Sequence, residues 1–324
     1  MISTNHSPKK ILARLALIFT TVIWGSSFVI MKDALSEVPP FFTLSIRGVI
    51  GTGFFFILLL RDTRKKEDQT AVHKEEQIVL HREESNTDSG LKKILSSAFF
   101  PGCVLGILLF LAYGTQTLGL ERTTPGKNAF LTAFYCVLVP FLHWILDRKR
   151  PAPANLFAAI FCVIGIGFIS LQTEISGQIG ISTGDALSVL CSFLYAFHII
   201  AINRYSAKLN FLSLFFIQFA MFTFCAAISA VLFESFPTFV SLGTGLRFVY
   251  LGIFATGLAF FLQGFGQKYT PPSQSAVILS MEGMTGAIIS ILAGQEELSV
   301  RLIAGFAFVF FGVIISEIFT VKKV

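Results

Sequence analysis

Glu282 is the one carboxylate in "AVILSMEGMTGAIISILAG" (276–294), a run made otherwise of apolar and small residues. If the run crosses a bilayer, the acid lies about ten residues, roughly 15 Å, from either end. A charge at that depth costs at least ~2.5 kcal/mol, so it requires a partner, a proton or water. Two kinds of chemistry follow: pairing with a cationic group of a cargo, or taking up and releasing a proton. A structural role stays open beside them, with Arg47, Tyr135 or His198 as the neutralising partner.

Other polar residues recur in apolar surroundings at helical spacing, which places them on shared faces. Asn128, Thr132 and Tyr135 stand at i, i+4 and i+7. Ser275, Glu282, Thr285 and Gly286 mark a comparable face. Tyr113 and Gln116, Gln263 and Gln267, Trp24 and Ser27, and Tyr195 and His198 form four shorter pairs. Converging stripes of this kind would line a cavity with aromatic walls and few hydrogen-bonding groups, as sites for small organic molecules are lined. Each residue also has a plainer role. Gln116 and Gln263 serve equally well as interhelical glue, Trp24 and Tyr195 as packing aromatics, and His198 as a satisfied interior histidine. Arg47 either snorkels outward or neutralises a carboxylate, and Asp185 reads as a helix cap.

The elements that must position these groups follow from composition. The chain has 324 residues, 54% hydrophobic and only 14% charged, with a mean hydropathy of +0.74. Soluble domains carry about 25% charged residues. Its 37 phenylalanines exceed what one soluble core hides, whereas lipid-facing helices display them. The sequence therefore describes an all-α polytopic membrane protein. At about 20 apolar residues per crossing, ten spans fall near 11–32, 41–60, 97–118, 125–146, 152–172, 182–203, 211–233, 245–267, 272–294 and 299–320. Lys9, Lys10 and Arg14 precede a first span that reads as retained rather than cleaved. The five cysteines all sit in apolar runs and read as packing residues, not disulfides or a metal site. Residues 62–93 hold eight acids and seven bases. That composition reads as a solvated loop with a short helix around Glu75 to Glu84. With the N-terminus inside, 19 of the 25 Lys and Arg fall on the inner side, which makes both termini cytoplasmic.

The halves match. At an offset of 147, "LAYGTQTLGLERTTPGKNA" (111–129) falls on "LAFFLQGFGQKYTPPSQSA" (258–276) without a gap, and Tyr135 falls on Glu282. Before the charged loop the best offset is 171, pairing Trp24 with Tyr195, Ser27 with His198 and Arg47 with Gln218. Five spans per repeat is odd, so the second copy enters from the opposite side. The expectation is two inverted five-helix repeats, 1–178 and 179–324, an architecture that many secondary transporters use.

"WGSSFVIMK", "RTTPGKNAFLTAFYCVLVPFL", "GDALSVLCSFLYAF" and "TPPSQSAVILSMEGMTGAIIS" together resemble the drug/metabolite transporter superfamily, in its ten-helix EamA-type permeases. The resemblance spans nearly the whole chain outside 62–93. It implies two EamA repeats, a central cavity and movement of small metabolites across the cytoplasmic membrane, often as export. Family members often carry proline after the fourth-span tyrosine and the ninth-span acid; here Cys136 and Gly283 stand there. Gly283 is then expected to loosen its helix, and Pro140 to move the fourth-span kink one turn on.

The expected function is secondary transport of a small polar or amphiphilic metabolite by alternating access. Amino acids, nucleotide-related compounds and organic cations all fit. Trp24, Ser27, Tyr113, Gln116, Asn128, Tyr135, Tyr195, His198, Gln263 and Glu282 are the expected binding residues, with Glu282 the proton-coupling candidate. A facilitative exchanger or channel is the alternative. An intramembrane enzyme ranks lower, since no HExxH, GxSxG or paired intramembrane acids occur. No cofactor, metal or nucleic acid is expected; the partners are cargo, lipid and protons, and the chain acts as a monomer or a homodimer.

Overall fold

The computed structural model describes residues 8–76, 87–148, 153–173 and 179–321. Helices account for nearly all of them: α1 (Pro8–Ala34), α2 (Pro40–Glu76), α3 (Thr87–Glu121), α4 (Pro125–Thr132), α5 (Tyr135–Asp147), α6 (Pro153–Ser170), α7 (Thr183–Ser206) and α8 (Phe211–Phe233). Then come α9 (Leu242–Val249), a π-helical stretch (Tyr250–Leu258), α10 (Ala259–Tyr269), α11 (Pro272–Leu292) and α12 (Val300–Val321). Eight stretches among the described residues are long and apolar enough to cross a membrane, counting α4 with α5 and α9 to α10 as one each, and Val300–Gly312 adds a shorter one. This is a polytopic helical membrane protein. Two three-residue strands, β1 (Leu171–Thr173) and β2 (Ile179–Ile181), pair antiparallel between α6 and α7, a small exception to the all-helical expectation.

Helix starts are set by the residues that satisfy orphan N–H groups. The Thr124 hydroxyl accepts from Lys127 N with Pro125 at the first helical position. Ser182, Asn210 and Ser241 cap α7, α8 and α9 in the same way. Asp185, read above as the cap of its helix, is not the cap: its amide donates to Ser182 Oγ at 3.0 Å. Its carboxylate instead accepts from Thr123 Oγ1 at 2.6 Å, across to the α3–α4 turn.

The structure departs from expectation in three further places. The charged stretch expected as a loop continues both flanking helices, α2 to Glu76 and α3 from Thr87. Opposite charges recur four apart in the sequence there, Asp62 with Lys66 and Arg64 with Asp68, a spacing that favours helix. The remainder of the helix expected near Glu75 to Glu84 falls in 77–86, outside the described residues. The fourth span breaks at Ala133–Phe134, ahead of Tyr135, and Pro140 rides inside α5. Tight bonds bridge the break, Cys136 N to Ala133 O at 3.1 Å and Val137 N to Phe134 O at 3.0 Å. α11, by contrast, runs unbroken through Gly283. A Cβ there would stand 3.1 Å from Ala133 Cβ and 3.2 Å from Ala129 O. Glycine serves helix approach at this position rather than loosening.

The first and second halves of the chain interlock. α2 lies along α8, α6 along α12, and α4 and α5 along α11. α1 packs on α10 and α11, while α7 packs on α3, α4 and α5. Phe260 is the aromatic hub, within 5.0 to 6.4 Å of the rings of Phe219, Trp24, Tyr113, His198 and Phe215. Large apolar side chains such as Phe100, Ile145 and Phe233 point outward, as lipid-facing residues do.

Association inside lipid relies on close packing, so glycines at crossings matter most. A Cβ on Gly25 would collide with the Thr285 hydroxyl and stand 2.8 Å from Gly286 N, whereas one on Gly53 would meet nothing within 4 Å. Gly25→Ala is therefore expected to cost about 1–3 kcal/mol by overpacking, and Gly53→Ala to be neutral or slightly stabilising. Melting curves of both variants in detergent check the contrast.

Candidate functional site

Between the halves α1, α2, α3, α5, α7, α10 and α11 enclose a cavity. Its empty space is about 550 Å³ including the mouth, but only about 30 Å³ of it admits the centre of a water molecule. That is room for a few waters, so the walls close on the site. Nine of the ten expected residues line it.

Two departures from regular helix build the walls. The π-helical stretch opposite α1 and α2 takes bonds from side chains: Trp24 Nε1 donates to Ala255 O at 2.9 Å, and Arg47 Nε donates to Thr256 Oγ1 at 3.0 Å. π-turns widen a helix and are frequent at functional sites. The break before Tyr135 turns that ring inward, while Asn128 and Thr132 face away. Asn128 is the expected residue that does not reach the cavity: its amide donates to Gln116 O at 3.2 Å and Ser188 Oγ at 2.7 Å. The single polar stripe expected on this span presumed an unbroken helix.

Several cavity groups are already occupied. Gln116 donates to Thr132 Oγ1 at 3.2 Å and accepts from Tyr195 OH at 3.1 Å. Ser27 turns its hydroxyl to Trp24 O at 2.7 Å. His198 Nε2 and Gln218 Oε1 lie 3.3 Å apart, joining the two residues that the 171 offset sets on Ser27 and Arg47. Gln263 is buried, and its Oε1 has no partner.

Two opposite charges remain. Arg47, 2% exposed, reaches Tyr113 OH with its second nitrogen at 3.2 Å, and its guanidinium carbon lies 4.3 Å from the Tyr113 ring centroid. Glu282, 4% exposed, faces the Tyr135 hydroxyl, though the two stop short of a well-formed hydrogen bond. No ion pair joins either residue to an opposite charge among the described residues. Of the three partners considered for the acid, only Tyr135 is in place. The Tyr113 and Tyr195 rings line the same cavity and meet edge-on, 5.7 Å apart.

Sequence reasoning left Arg47 between snorkelling outward and neutralising a carboxylate, and passed over Phe260. The 147 offset sets Phe260 on Tyr113, so the repeat register carried the signal that hydrophobicity hid.

A lipid-embedded helical bundle whose two halves enclose a small cavity with aromatic walls and buried charges defines a membrane transport protein. The model of the EamA-like transporter family matches residues 11–171 and again 182–317, and the chain belongs to that family. It is similar to an uncharacterized transporter of Archaeoglobus fulgidus, 29% identical over 90% of this chain and 81% of that one. It is also similar to two uncharacterized transporters of Bacillus subtilis. YetK is 25% identical, with 96% of this chain and 88% of the relative covered; YvbV is 24% identical, with 90% and 87% covered. One crystal structure superposes with a TM-score of 0.66 over 96% of this chain and 98% of the other, at 18% identity, which is likeness of fold.

Removing the Tyr113 hydroxyl strands part of the buried guanidinium. Tyr113→Phe is expected to lower stability by about 1–3 kcal/mol. Thermal unfolding in detergent checks it, and an unchanged melting temperature would mean that this hydroxyl does not hold Arg47.

Proposed function

We propose that the chain is a secondary transporter that moves a small metabolite across the cytoplasmic membrane by alternating access. Two inverted repeats, 1–178 and 179–324, rock about the cavity, with both termini cytoplasmic. The family model matching twice supports the repeat reading, as does the swapped packing of α1 on α10 and α11 and of α7 on α3, α4 and α5. The Lys and Arg distribution supports the orientation. One chain carries both halves, so a monomer suffices. Transport, rather than catalysis, suits a cavity in which the histidine is bonded to a glutamine and sets no base against a nucleophile.

The observation that carries the cargo reading is Arg47 and Glu282 lining one cavity without pairing. Buried charges without a counter-charge are costly, and a cargo bearing a carboxylate and an ammonium group supplies one to each. Between cargoes a proton on Glu282 relieves the second, which couples cargo to protons by exchange. The aromatic walls suit the apolar part of an amino acid or a related dipolar metabolite.

Two measurements test this. Dipolar α-amino acids are expected to raise the melting temperature of the detergent-solubilised protein, while their methyl esters and decarboxylated amines do so less. In proteoliposomes Glu282→Gln is expected to fold but to lose about tenfold or more of counterflow, or its pH dependence, the size of one missing charge-assisted bond. Full counterflow with the wild-type pH profile in that variant would overturn the role of Glu282.

A further inference from the structure

At the end of the bundle where α1, α3, α8 and α11 finish, three carboxylates cross between the halves to cap backbone N–H groups. Glu37 accepts from Ser241 N at 2.9 Å and Ser241 Oγ at 2.8 Å. Glu234 returns the arrangement in the opposite sense, accepting from Phe41 N at 2.7 Å and Phe42 N at 2.9 Å in the first turn of α2. Glu296 accepts from Gly126 N at 3.1 Å in the first turn of α4. Gln295 adds a bond to Asp33 Oδ1 at 2.7 Å, and Arg247 stands 3.8 Å from the other oxygen of Asp33.

These ties are placed where closure matters. The cavity reaches Met31 and Leu120, each within a turn of its helix end. Beyond them Lys32 gathers the carbonyls of Leu120, Glu121 and Thr123 at 2.8 to 3.0 Å, drawing the ends of α1 and α3 together. The far side of the site, at Ile199, lies about seven residues from the end of α7. The capped end is the thinner wall, and bonds between the halves seal it.

We infer that Glu37, Glu234 and Glu296 form a latch that holds the cavity shut at this end and that must release for the site to open there. Charged acceptors at helix N-termini make strong bonds, helped by the helix dipole, yet each acts only at short range and breaks within an ångström or two of separation. A rocking of the halves therefore breaks all three together. The inference takes its meaning from the alternating-access reading, but it concerns access rather than cargo.

Glu296 makes the latch responsive to acid. It sits in the wall of an open basin of about 570 Å³, with Thr124, the cap of α4, and Lys127 in its first turn facing it. Gln295, Glu297, Ser299 and Arg301 face the same basin from the α11–α12 turn and α12. Burial pushes its carboxyl above the usual range, against the Thr124, Lys127 and Gly126 contacts that pull it down. The basin carries protons to it. Glu37 is shifted the other way, chiefly by its bond from the Ser241 amide, and stays ionised. Acidification thus neutralises the Glu296 tie before the Glu37 tie.

The test reads access directly. Met31→Cys, near the capped end, and Ile199→Cys, toward the opposite end, are built singly in a background whose five native cysteines are serine. Their labelling by a polar maleimide is followed in nanodiscs, each rate is divided by the thiolate fraction measured for that cysteine, and the ratio of the two is compared. Glu296→Gln is expected to raise the Met31→Cys to Ile199→Cys ratio about tenfold. Gly126→Ala is expected to do the same without touching a charge, because its Cβ would stand 2.5 Å from Glu296 Oε2 and displace it. Lowering pH should raise the ratio in the unmodified latch and leave it flat in Glu296→Gln. A ratio unmoved in both latch variants overturns the inference, as does a parallel rise at both reporters, which signals general loosening. Melting curves of each variant identify any that misfold. Should counterflow prove absent while the ratio moves, the transport reading fails and the latch stands.

Discussion

The bundle keeps a guanidinium and a carboxylate inside the same lipid-shielded cavity without letting them neutralise one another. In hydrocarbon each would draw its nearest opposite charge, and an Arg47–Glu282 pair would be the cheapest arrangement. It is prevented because Arg47 is held elsewhere. The Thr256 hydroxyl and the hydroxyl and ring of Tyr113 occupy the guanidinium, and Thr256 is itself fixed by donating to Leu251 O at 2.7 Å. Tyr113 is pinned in turn by edge contacts with Tyr195 and Phe222. The charge separation is thus a property of the aromatic packing, and the aromatic packing is a property of how closely the helices approach.

Regular helices alone would not build this. Their carbonyls are consumed internally, which is why they are stable in lipid and why they offer little to a side chain. The π-helical stretch gives Trp24 a carbonyl at Ala255 and turns Thr256 toward Arg47. The break at Ala133–Phe134 does the matching work for Tyr135. The two irregularities fall in the fourth and eighth spans, which are not counterparts under the 147 offset. Whatever ancestry the halves share, the cavity is asymmetric, with the acid on an unbroken helix and the facing tyrosine at the start of a new one.

How far the sequence could be read follows from which interactions are local. Of the ten stretches that apolar length marked, eight are long and apolar enough to cross among the described residues, because every crossing must satisfy the same thickness. Pro125 and Pro272 marked the starts of two expected spans, because the first helical position needs no backbone N–H. The internal register brought Tyr135 onto Glu282; it also sets Tyr113 on Phe260, a pairing left unread. What failed depended on competition between elements. Asn128 was expected in the cavity because an unbroken helix puts it beside Tyr135, and nothing in the sequence announces that the ladder fails seven residues before Pro140. Asp185 was expected as a cap, but Ser182 takes that place and Thr123 claims the carboxylate. Arg47 was underrated because its partners, Thr256 and Tyr113, lie 209 and 66 residues away.

Closure at the capped end and charge separation at the centre bear on one another. With only about 30 Å³ open to the centre of a water molecule, few waters can screen Arg47 or Glu282, so the guanidinium, and the carboxylate whenever it lacks a proton, are costly while the walls stay closed. Any motion that parts the halves admits water and lowers that cost, which opposes closure. The bonds of Glu37, Glu234 and Glu296 act in the other direction, and they do so at the membrane boundary, where solvent competes for every hydrogen bond. Closure of an empty site is then held by a near balance. A ligand that supplies both missing charges removes the central cost without admitting water, and so favours the closed walls by its own binding free energy. The site and the seal are coupled through hydration of two side chains, with no contact chain between them required.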